Sequence, residues 1–449
     1  MIEDDIEQLR LDVALALAAD DSDAISKVLE DTDIAQIANL LDSLPSQQRD
    51  LVWPQIEPVQ LGAVLLETGD EVRDNKLKEF SSAEITEIIE TLPDVDDQAD
   101  IILSLSTEKL VNILHTLDAQ KREKLESVLS YSDDTAGGLM NVDQITIRAD
   151  VTLDVVLRYL RIRGEMPDHT DQLFVTDRHD HYLGALYLRD LLTNDPDVQV
   201  KNIMRTDVSA MHVHLSDTEV AREFENYDLV SAPIVDEQHK LIGRITIDDV
   251  VDVIRDEGES SIMSMAGLND EEDMFSPALT SAKRRGLWLG INLLTAFLAA
   301  GVIGFFEDIL EQVVALAILI TIVPSMGGIA GSQTLTLAIR GLALGQLGSS
   351  NYKTLIKKEI SIGILNGLIW ALVVASFSII WFENFNIGAI IGFALIVNLI
   401  AGAFAGAVIP ILLRQFGIDP AIAGGVILTT FTDVIGIIAF LGLATLVLN

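Results

Sequence analysis

The last apolar stretch of the chain, residues 421–448, reads AIAGGVILTTFTDVIGIIAFLGLATLVL and holds one charged residue, Asp433. At about 20 or more apolar residues, such a stretch can cross a bilayer as a helix. A carboxylate near its middle costs roughly 2.5–3.5 kcal/mol on insertion scales. It therefore faces either a cation on another helix or a wet pathway. The other apolar stretches offer no Lys or Arg at mid-membrane depth, so the wet pathway is the stronger reading. One carboxylate is a poor match for a divalent ion, but a two-fold dimer, the commonest symmetric oligomer, sets two Asp433 around one axis. A small, hard divalent cation dehydrates reluctantly. A wide ring of two Asp433 with Thr429, Thr432 and backbone carbonyls suits the hydrated ion.

Stepping outward from Asp433, five spans are expected, at about residues 286–305, 313–339, 360–381, 387–413 and 421–448. Lys283, Arg284 and Arg285 precede the first, Arg340, Lys353, Lys357 and Lys358 follow the second, and Arg414 follows the fourth. The other two loops carry only Glu307, Asp308, Glu311 and Glu383. Basic loops stay in the cytoplasm, so the N-terminus is expected inside and the C-terminus outside. The second span is the most polar, reading PSMGGIAGSQTLT from Pro324 to Thr336. Irregular backbone at membrane depth is tolerated where it lines water or is buried in protein. Gly328, Gly331, Ser332, Gln333 and Thr336 join Thr429 and Thr432 as pore-lining candidates. Helix packing through small residues is the plain alternative. The AGAFAG run at 401–406 reads as such packing, with Asn398 a minor pore candidate.

The net charge of −38 over 449 residues is unevenly placed. From Lys283 onward there are eight basic and seven acidic residues, which leaves 22 basic and 61 acidic before it. An acidic soluble front thus precedes a near-neutral membrane part. So acidic a front argues against nucleic-acid binding and for hard divalent cations, which take oxygen ligands; plain solubility also favours it. There is no cysteine, which excludes disulfides, thiolate metal sites and Cys nucleophiles. No G-x-x-x-x-G-K-[ST] motif is present, so a P-loop ATPase is excluded. An intramembrane aspartyl protease needs two aspartates where the spans hold one. No enzyme is expected. The opening MIEDDIEQLR has neither a basic n-region nor an apolar run, so it does not read as a signal peptide.

Within the front, apolar doublets fall at Leu40–Leu41, Val64–Leu65, Ile88–Ile89 and Ile113–Leu114, a period of 24 or 25 residues. A period in the twenties reads as a short helical solenoid. Asp94, Asp96 and Asp97 form an acidic edge on it. After Tyr131 comes DDTAGGLM at 133–140, then strand and helix runs in one order twice over, a tandem of α/β modules of about 60 residues. His179/His181 and His212/His214 sit two apart; nothing evident completes a zinc site, and they read as ordinary histidines. From Asp249 a helical run carries Asp252, Asp256, Glu257 and Glu259. Asp249, Asp252 and Asp256 share a face, where like charges repel unless solvent or bridging cations intervene.

The two modules resemble paired CBS domains. The second, with Ser231-Ala-Pro233-Ile, Gly243, Thr246 and Asp249, fits that family's nucleotide-contact pattern better than the first. The resemblance implies regulatory ATP at Pro233, Thr246 and Asp249; a helix cap is the alternative for Thr246. Taken in order, the helical front, DDTAGGLM, the tandem, the acidic connector, Pro324-x-x-Gly327-Gly328 and Thr432-Asp433 resemble the MgtE family of bacterial magnesium channels over nearly the whole chain. That resemblance implies a helical N-domain (1–132), CBS modules (133–200 and 201–257), a connector "plug" helix (258–282) and an all-α membrane domain (283–449). It also implies a homodimeric Mg²⁺ channel in the bacterial inner membrane, in contact with lipid. Cytoplasmic Mg²⁺ would close it, with Asp433 in the pore and Asp249, Asp252 and Glu257 as sensors. Asp94, Asp97 and Glu259 are further sensor candidates. Ser332 departs from the family, which usually has Asn before this Gln333. Co²⁺, Mn²⁺ or Ni²⁺ as cargo, and a proton- or sodium-coupled carrier in place of a channel, are the alternatives.

Overall fold

The computed structural model describes residues 2–268, 272–348 and 350–448, with side chains from residue 6 onward. The chain forms two compact units, Met1–Glu259 with Glu271–Pro277, and Ser260–Asp270 with Ala278–Asn449.

The first unit opens with ten α-helices: α1 (Ile2–Ala18), α2 (Ser22–Glu30), α3 (Ile34–Asp42), α4 (Ser46–Val52), α5 (Pro58–Glu67), α6 (Asp70–Glu79), α7 (Ser82–Thr91), α8 (Val95–Leu103), α9 (Thr107–Thr116) and α10 (Ala119–Val128). The repeated doublets fall on every second helix, α3, α5, α7 and α9. Leu40, Leu41, Val64, Leu65, Ile88, Ile89 and Ile113 are buried in one continuous core, with Leu114 packed against it. Each repeat is thus a helix pair that buries its apolar face only by stacking on the next. The helix starts are written locally. At α7, Ser81 Oγ accepts the Glu84 N–H while Glu84 Oε2 accepts the Ser81 N–H, a reciprocal cap.

The two modules follow. The first comprises β1 (Thr146–Arg148), α11 (Leu153–Arg163), β2 (Gln172–Thr176), β3 (Tyr182–Tyr187) and α12 (Leu188–Thr193). The second comprises β4 (Met211–His212), α13 (Asp217–Tyr227), β5 (Ser231–Val235), β6 (Leu241–Thr246) and α14 (Ile247–Met265). Each sheet runs in sequence order, with a parallel pair joined across a helix and then an antiparallel hairpin. Every residue of β2 and β5 is buried, as expected of central strands covered on both faces. The DDTAGGLM segment lies along the second module: Ala136 N–H donates to Leu215 O and Gly137 N–H to Val213 O. A Cβ on Gly137 would lie 2.5 Å from the Tyr131 ring, so this approach requires glycine.

The connector differs from the expected helix over 258–282. The helix begins earlier, at Ile247, and ends at Met265. Gly267 adopts φ +69° and the Leu268 N–H reaches back to Met263 O, a glycine-terminated helix end. Beyond it, Asp273 is held by both guanidinium nitrogens of Arg49, at 2.7 and 2.8 Å, and its N–H donates to Glu71 Oε2. Within the expected range, residues 269–271 lie outside the described residues.

The second unit holds α15 (Ala278–Gly304), α16 (Glu307–Gln312), α17 (Val314–Leu319), α18 (Ile322–Ala343), α19 (Tyr352–Phe382), α20 (Phe385–Gln415) and α21 (Pro420–Leu448). With α17 and α18 read together, five helices among the described residues are long and apolar enough to cross a membrane. Helix α20 is the hub, packed against α18, α19 and α21, whereas no residue of α15 is buried. The crossing of α18 with α20 depends on glycine at both sides. A Cβ on Gly402 would sit 2.4 Å from Gly327 O, and one on Gly406 2.4 Å from Gly331 O. Small residues four apart on each helix let the backbones touch.

Candidate cation sites

Two carboxylate sites stand out, one in each unit. In the membrane unit, Gly327 and Gly331 face α20, and this fixes the rotation of α18. Gly328, Ser332 and Thr336, one helical turn apart and about a quarter turn further round the helix, then face away from α20. With Pro324, Ser325, Ile329, Gln333, Thr429 and Asp433 they line an open groove of about 770 Å³. Thr429 and Asp433 are one turn apart on α21. Asp433 is half-buried and, among the described residues, takes part in no hydrogen bond or ion pair. The groove offers a cation one carboxylate, hydroxyls, a carboxamide and backbone.

Three expectations for this region change. Gly331 is buried, its Cα facing Leu428 and Gly402 O. Thr432 is fully buried, its hydroxyl donating to Leu428 O or Thr429 O at 3.1 Å. Neither lines the groove. Asn398 is also fully buried, donating from Nδ2 to Val323 O at 2.7 Å beside Gly327 and Gly436. It braces the backbone next to Pro324. One carboxylate goes unanticipated: α19 starts at Tyr352, which brings Glu359 into the helix, buried, with Oε2 accepting from Thr334 Oγ1 at 3.1 Å.

In the first unit, the N-terminus of α8 meets the N-terminus of α14. Asp96 is 7% exposed and its Oδ1 has no hydrogen-bond partner. Burial, then Asp249, Asp97 and Asp94, holds its carboxyl well above the ordinary carboxylate range. Asp97 is pushed up to about 7 by burial and by Asp94, Asp100, Asp248 and Glu67. Asp249 also rises to about 7, from burial, Asp248 and Asp97, against hydrogen bonds from Thr246. Asn141 is buried between the helices and donates from Nδ2 to Asp94 Oδ1 at 2.7 Å. A pair of Asn141–Arg244 backbone bonds ties it to β6. Buried carboxylates facing one another raise each other's pKa, and a divalent cation relieves that cost.

The structure therefore gathers Asp94, Asp96 and Asp97 of the acidic edge with Asp249, and adds Asp248. Asp252 lies at the edge, exposed and 3.1 Å from Arg255. Glu257 and Glu259 stay exposed further along α14. The nucleotide candidates are engaged otherwise. Thr246 Oγ1 donates to Asp248 and, at 3.2 Å, to Asp249 Oδ2, which also accepts the Thr246 N–H. Pro233 lies within buried β5.

Fold and sites define a multi-pass membrane protein with CBS modules and carboxylate sites suited to cations. The chain belongs to the MgtE family. The model for the MgtE divalent cation transporter domain matches residues 320–443, that for the MgtE intracellular N domain 32–134, and that for the CBS domain 200–256. The magnesium transporter MgtE of Thermus thermophilus is 30% identical over 448 residues, 99% of this chain and 99% of that protein. The magnesium transporter MgtE of Bacillus subtilis is 30% identical over 352 residues, 78% of each. A solved cytosolic domain of the Mg²⁺ channel MgtE, in complex with ATP, is 31% identical and covers 54% of this chain and 99% of that one, with a TM-score of 0.49.

Proposed function

We propose that this protein carries Mg²⁺ across the bacterial inner membrane as a homodimeric channel, and that Mg²⁺ at the α8–α14 cluster holds it closed. The observation that carries this reading is the Asp433 groove. One carboxylate per chain among neutral donors, two in a dimer, suits an ion that keeps most of its waters. The groove is open along one side, so a single chain encloses no path, and a second copy across a two-fold axis would supply the other wall and a second Asp433. Positive charge on the loops supports an N-terminus in the cytoplasm.

Gating follows from linkage. Ions that bind the closed state more tightly than the open one shift the equilibrium toward closure by that difference. Without a cation, Asp96, Asp97 and Asp249 repel, and α8 and α14 part. Helix α14 belongs to the CBS tandem at its start and to the second unit at its end, so its displacement is the route by which the cluster acts. A regulatory nucleotide at Thr246 and Asp249 would have to compete with the bonds these residues make to each other.

The test is Mg²⁺ flux into liposomes holding purified protein, with no proton gradient, for wild type and Asp433→Ala. Passive flux in wild type and none in the variant is expected. Flux that needs an imposed pH or Na⁺ gradient would replace the channel by a coupled carrier. Undiminished flux in the variant would move the pathway to other helices.

A further inference from the structure

The hairpin between β2 and β3 holds a ligand set that neither carboxylate site uses. Asp177 opens the turn. Its N–H donates to His181 O at 3.0 Å, and its O accepts the Asp180 N–H at 3.2 Å. Its Oδ1 accepts the N–H of His179 at 2.7 Å and of His181 at 3.0 Å. Those bonds fix the carboxylate and leave Oδ2 free of the backbone. Oδ2 lies 2.9 Å from His181 Nδ1 and 4.0 Å from His179 Nδ1. The three ligand atoms all fall within 4.8 Å of one another. Metal–ligand bonds of about 2.0–2.1 Å place neighbouring ligand atoms roughly 3 Å apart. The separations here bracket that value, and the side chain of His179 is 80% exposed, free to rotate the remaining distance.

The second module supplies an internal control. Its β5–β6 turn has the same backbone. Asp236 N–H donates to Lys240 O, Asp236 O accepts the His239 N–H, and Asp236 Oδ1 accepts the N–H of Gln238 and of Lys240, each at 2.9 Å. Asp180 and His239 take the same positive φ, +65° and +63°. The turn therefore forms without histidine. Gln238 and Lys240 occupy the places of His179 and His181, and an ammonium at that position repels a cation. What the first module adds over its sibling is two imidazoles converging on a fixed carboxylate oxygen. A structural hydrogen bond from His181 accounts for one of them and leaves His179 unexplained.

From this geometry we propose that Asp177, His179 and His181 bind one borderline transition-metal cation per chain, of the Zn²⁺, Co²⁺ or Ni²⁺ type. Two imidazoles and one carboxylate select such ions, whereas Mg²⁺ prefers an all-oxygen shell. Metal binding displaces the proton that His181 Nδ1 shares with Asp177 and leaves the imidazole protonated at Nε2. The remaining coordination positions open to solvent. The site is separate from the α8–α14 cluster and does not depend on the transport reading.

The test is a Co²⁺ titration of the full-length protein in detergent, with Mg²⁺ in excess, followed by ligand-field absorption. Wild type should take up one Co²⁺ per chain with a band of nitrogen ligation. His179→Gln with His181→Lys copies the sibling turn, which is a folded one, and should lose that ion and its band. Gln238→His with Lys240→His should gain a second. Unchanged Co²⁺ stoichiometry in the first variant, or a wild-type band erased by excess Mg²⁺, would overturn the proposal.

Discussion

Asp433 stands in its groove with hydroxyls, a carboxamide and backbone, while Asp96, Asp97 and Asp249 stand against one another at the meeting of α8 and α14. The first arrangement has little charge and an open side. The second has much charge and a buried carboxylate with an unpartnered oxygen. The difference matches the two tasks proposed above. An ion that must pass has to enter readily and leave readily, which one carboxylate from each chain allows. An ion that must report its concentration has to change a structure, which requires groups that are costly without it. Charge density separates the two, although both offer the same carboxylate oxygen.

The comparison breaks most sharply at Asp433. Asp433→Asn keeps the shape and removes the charge. Bonds to a charged group contribute about 1.5–3 kcal/mol, and a loss of about 3 kcal/mol corresponds to roughly 100-fold in rate. Mg²⁺ flux should fall by about that factor, while Mg²⁺ binding to the α8–α14 cluster, followed by calorimetry, stays as in wild type. Flux retained within about two-fold of wild type, against that estimate, would show that shape and not charge makes the groove.

The groove also depends on packing, at the glycine contacts of α18 with α20. Gly402→Ala drives a Cβ into Gly327 O at 2.4 Å, whereas nothing lies within 4 Å of a Cβ on Gly425. Overpacking costs about 1–3 kcal/mol. Gly402→Ala should lower the thermal stability of the detergent-solubilised membrane domain, and Gly425→Ala should leave it unchanged or raise it slightly. Equal behaviour of the two would refute the glycine contact between α18 and α20.

That contact also explains where sequence reasoning lost the phase. Apart from Ile329, each position in Gly328-Ile-Ala-Gly-Ser-Gln-Thr offers little bulk or some polarity, so composition alone does not say which face is wet. The choice is made by α20, through Gly402 and Gly406, and it buries Gly331 while exposing Gly328. On α21 the same logic separates Thr432, buried, from Thr429, on the groove. The solenoid was legible because its signal is local: one apolar doublet per helix pair. The CBS tandem was legible because two copies spell the same order. Asp94 and Asp97 were visible as acid, but not the depth of Asp96, which is set by a helix remote in sequence. The histidines of the first module looked unremarkable because the third ligand, Asp177, reads as an ordinary turn residue.

A smaller effect sharpens the cluster. Asp249→Asn with Asp252→Asn removes two negative charges from the α14 side. At about 5 Å in water a divalent ion and a carboxylate attract by roughly 1.7 kcal/mol. Asp249, raised to about 7, is half-protonated near neutral pH and Asp252 is already paired with Arg255, so the two together are worth about one such attraction, a loss of roughly ten- to twenty-fold in affinity. The Mg²⁺ concentration that protects the first unit from protease should rise by about that factor. Glu257→Gln, further along the exposed helix, should move it much less. A shift of the same size from Glu257→Gln would place the sensor lower on α14.

The smallest effect is a pH dependence, and its sign follows from the raised carboxyls. Asp97 and Asp249 have folded-state values of about 7 against 3.8 unperturbed. A carboxyl raised on folding favours the docked, cation-free structure when protonated. That stability is full below about pH 4 and is lost as pH rises toward about 7. Mg²⁺ needs the ionised forms, so protons and Mg²⁺ compete for the same oxygens. Between about pH 7.5 and about pH 6.5 the ionised fraction of a group titrating near 7 falls roughly three-fold. The Mg²⁺ required for half-protection should rise about three-fold for each carboxylate that must deprotonate, and binding should release protons to the buffer. Calorimetry in two buffers of different ionisation enthalpy measures that release directly. A proton count of zero near pH 7, with the midpoint of protection flat, would mean that Asp97 and Asp249 already stand ionised, and that the cluster resembles the open groove around Asp433 more than its burial implies.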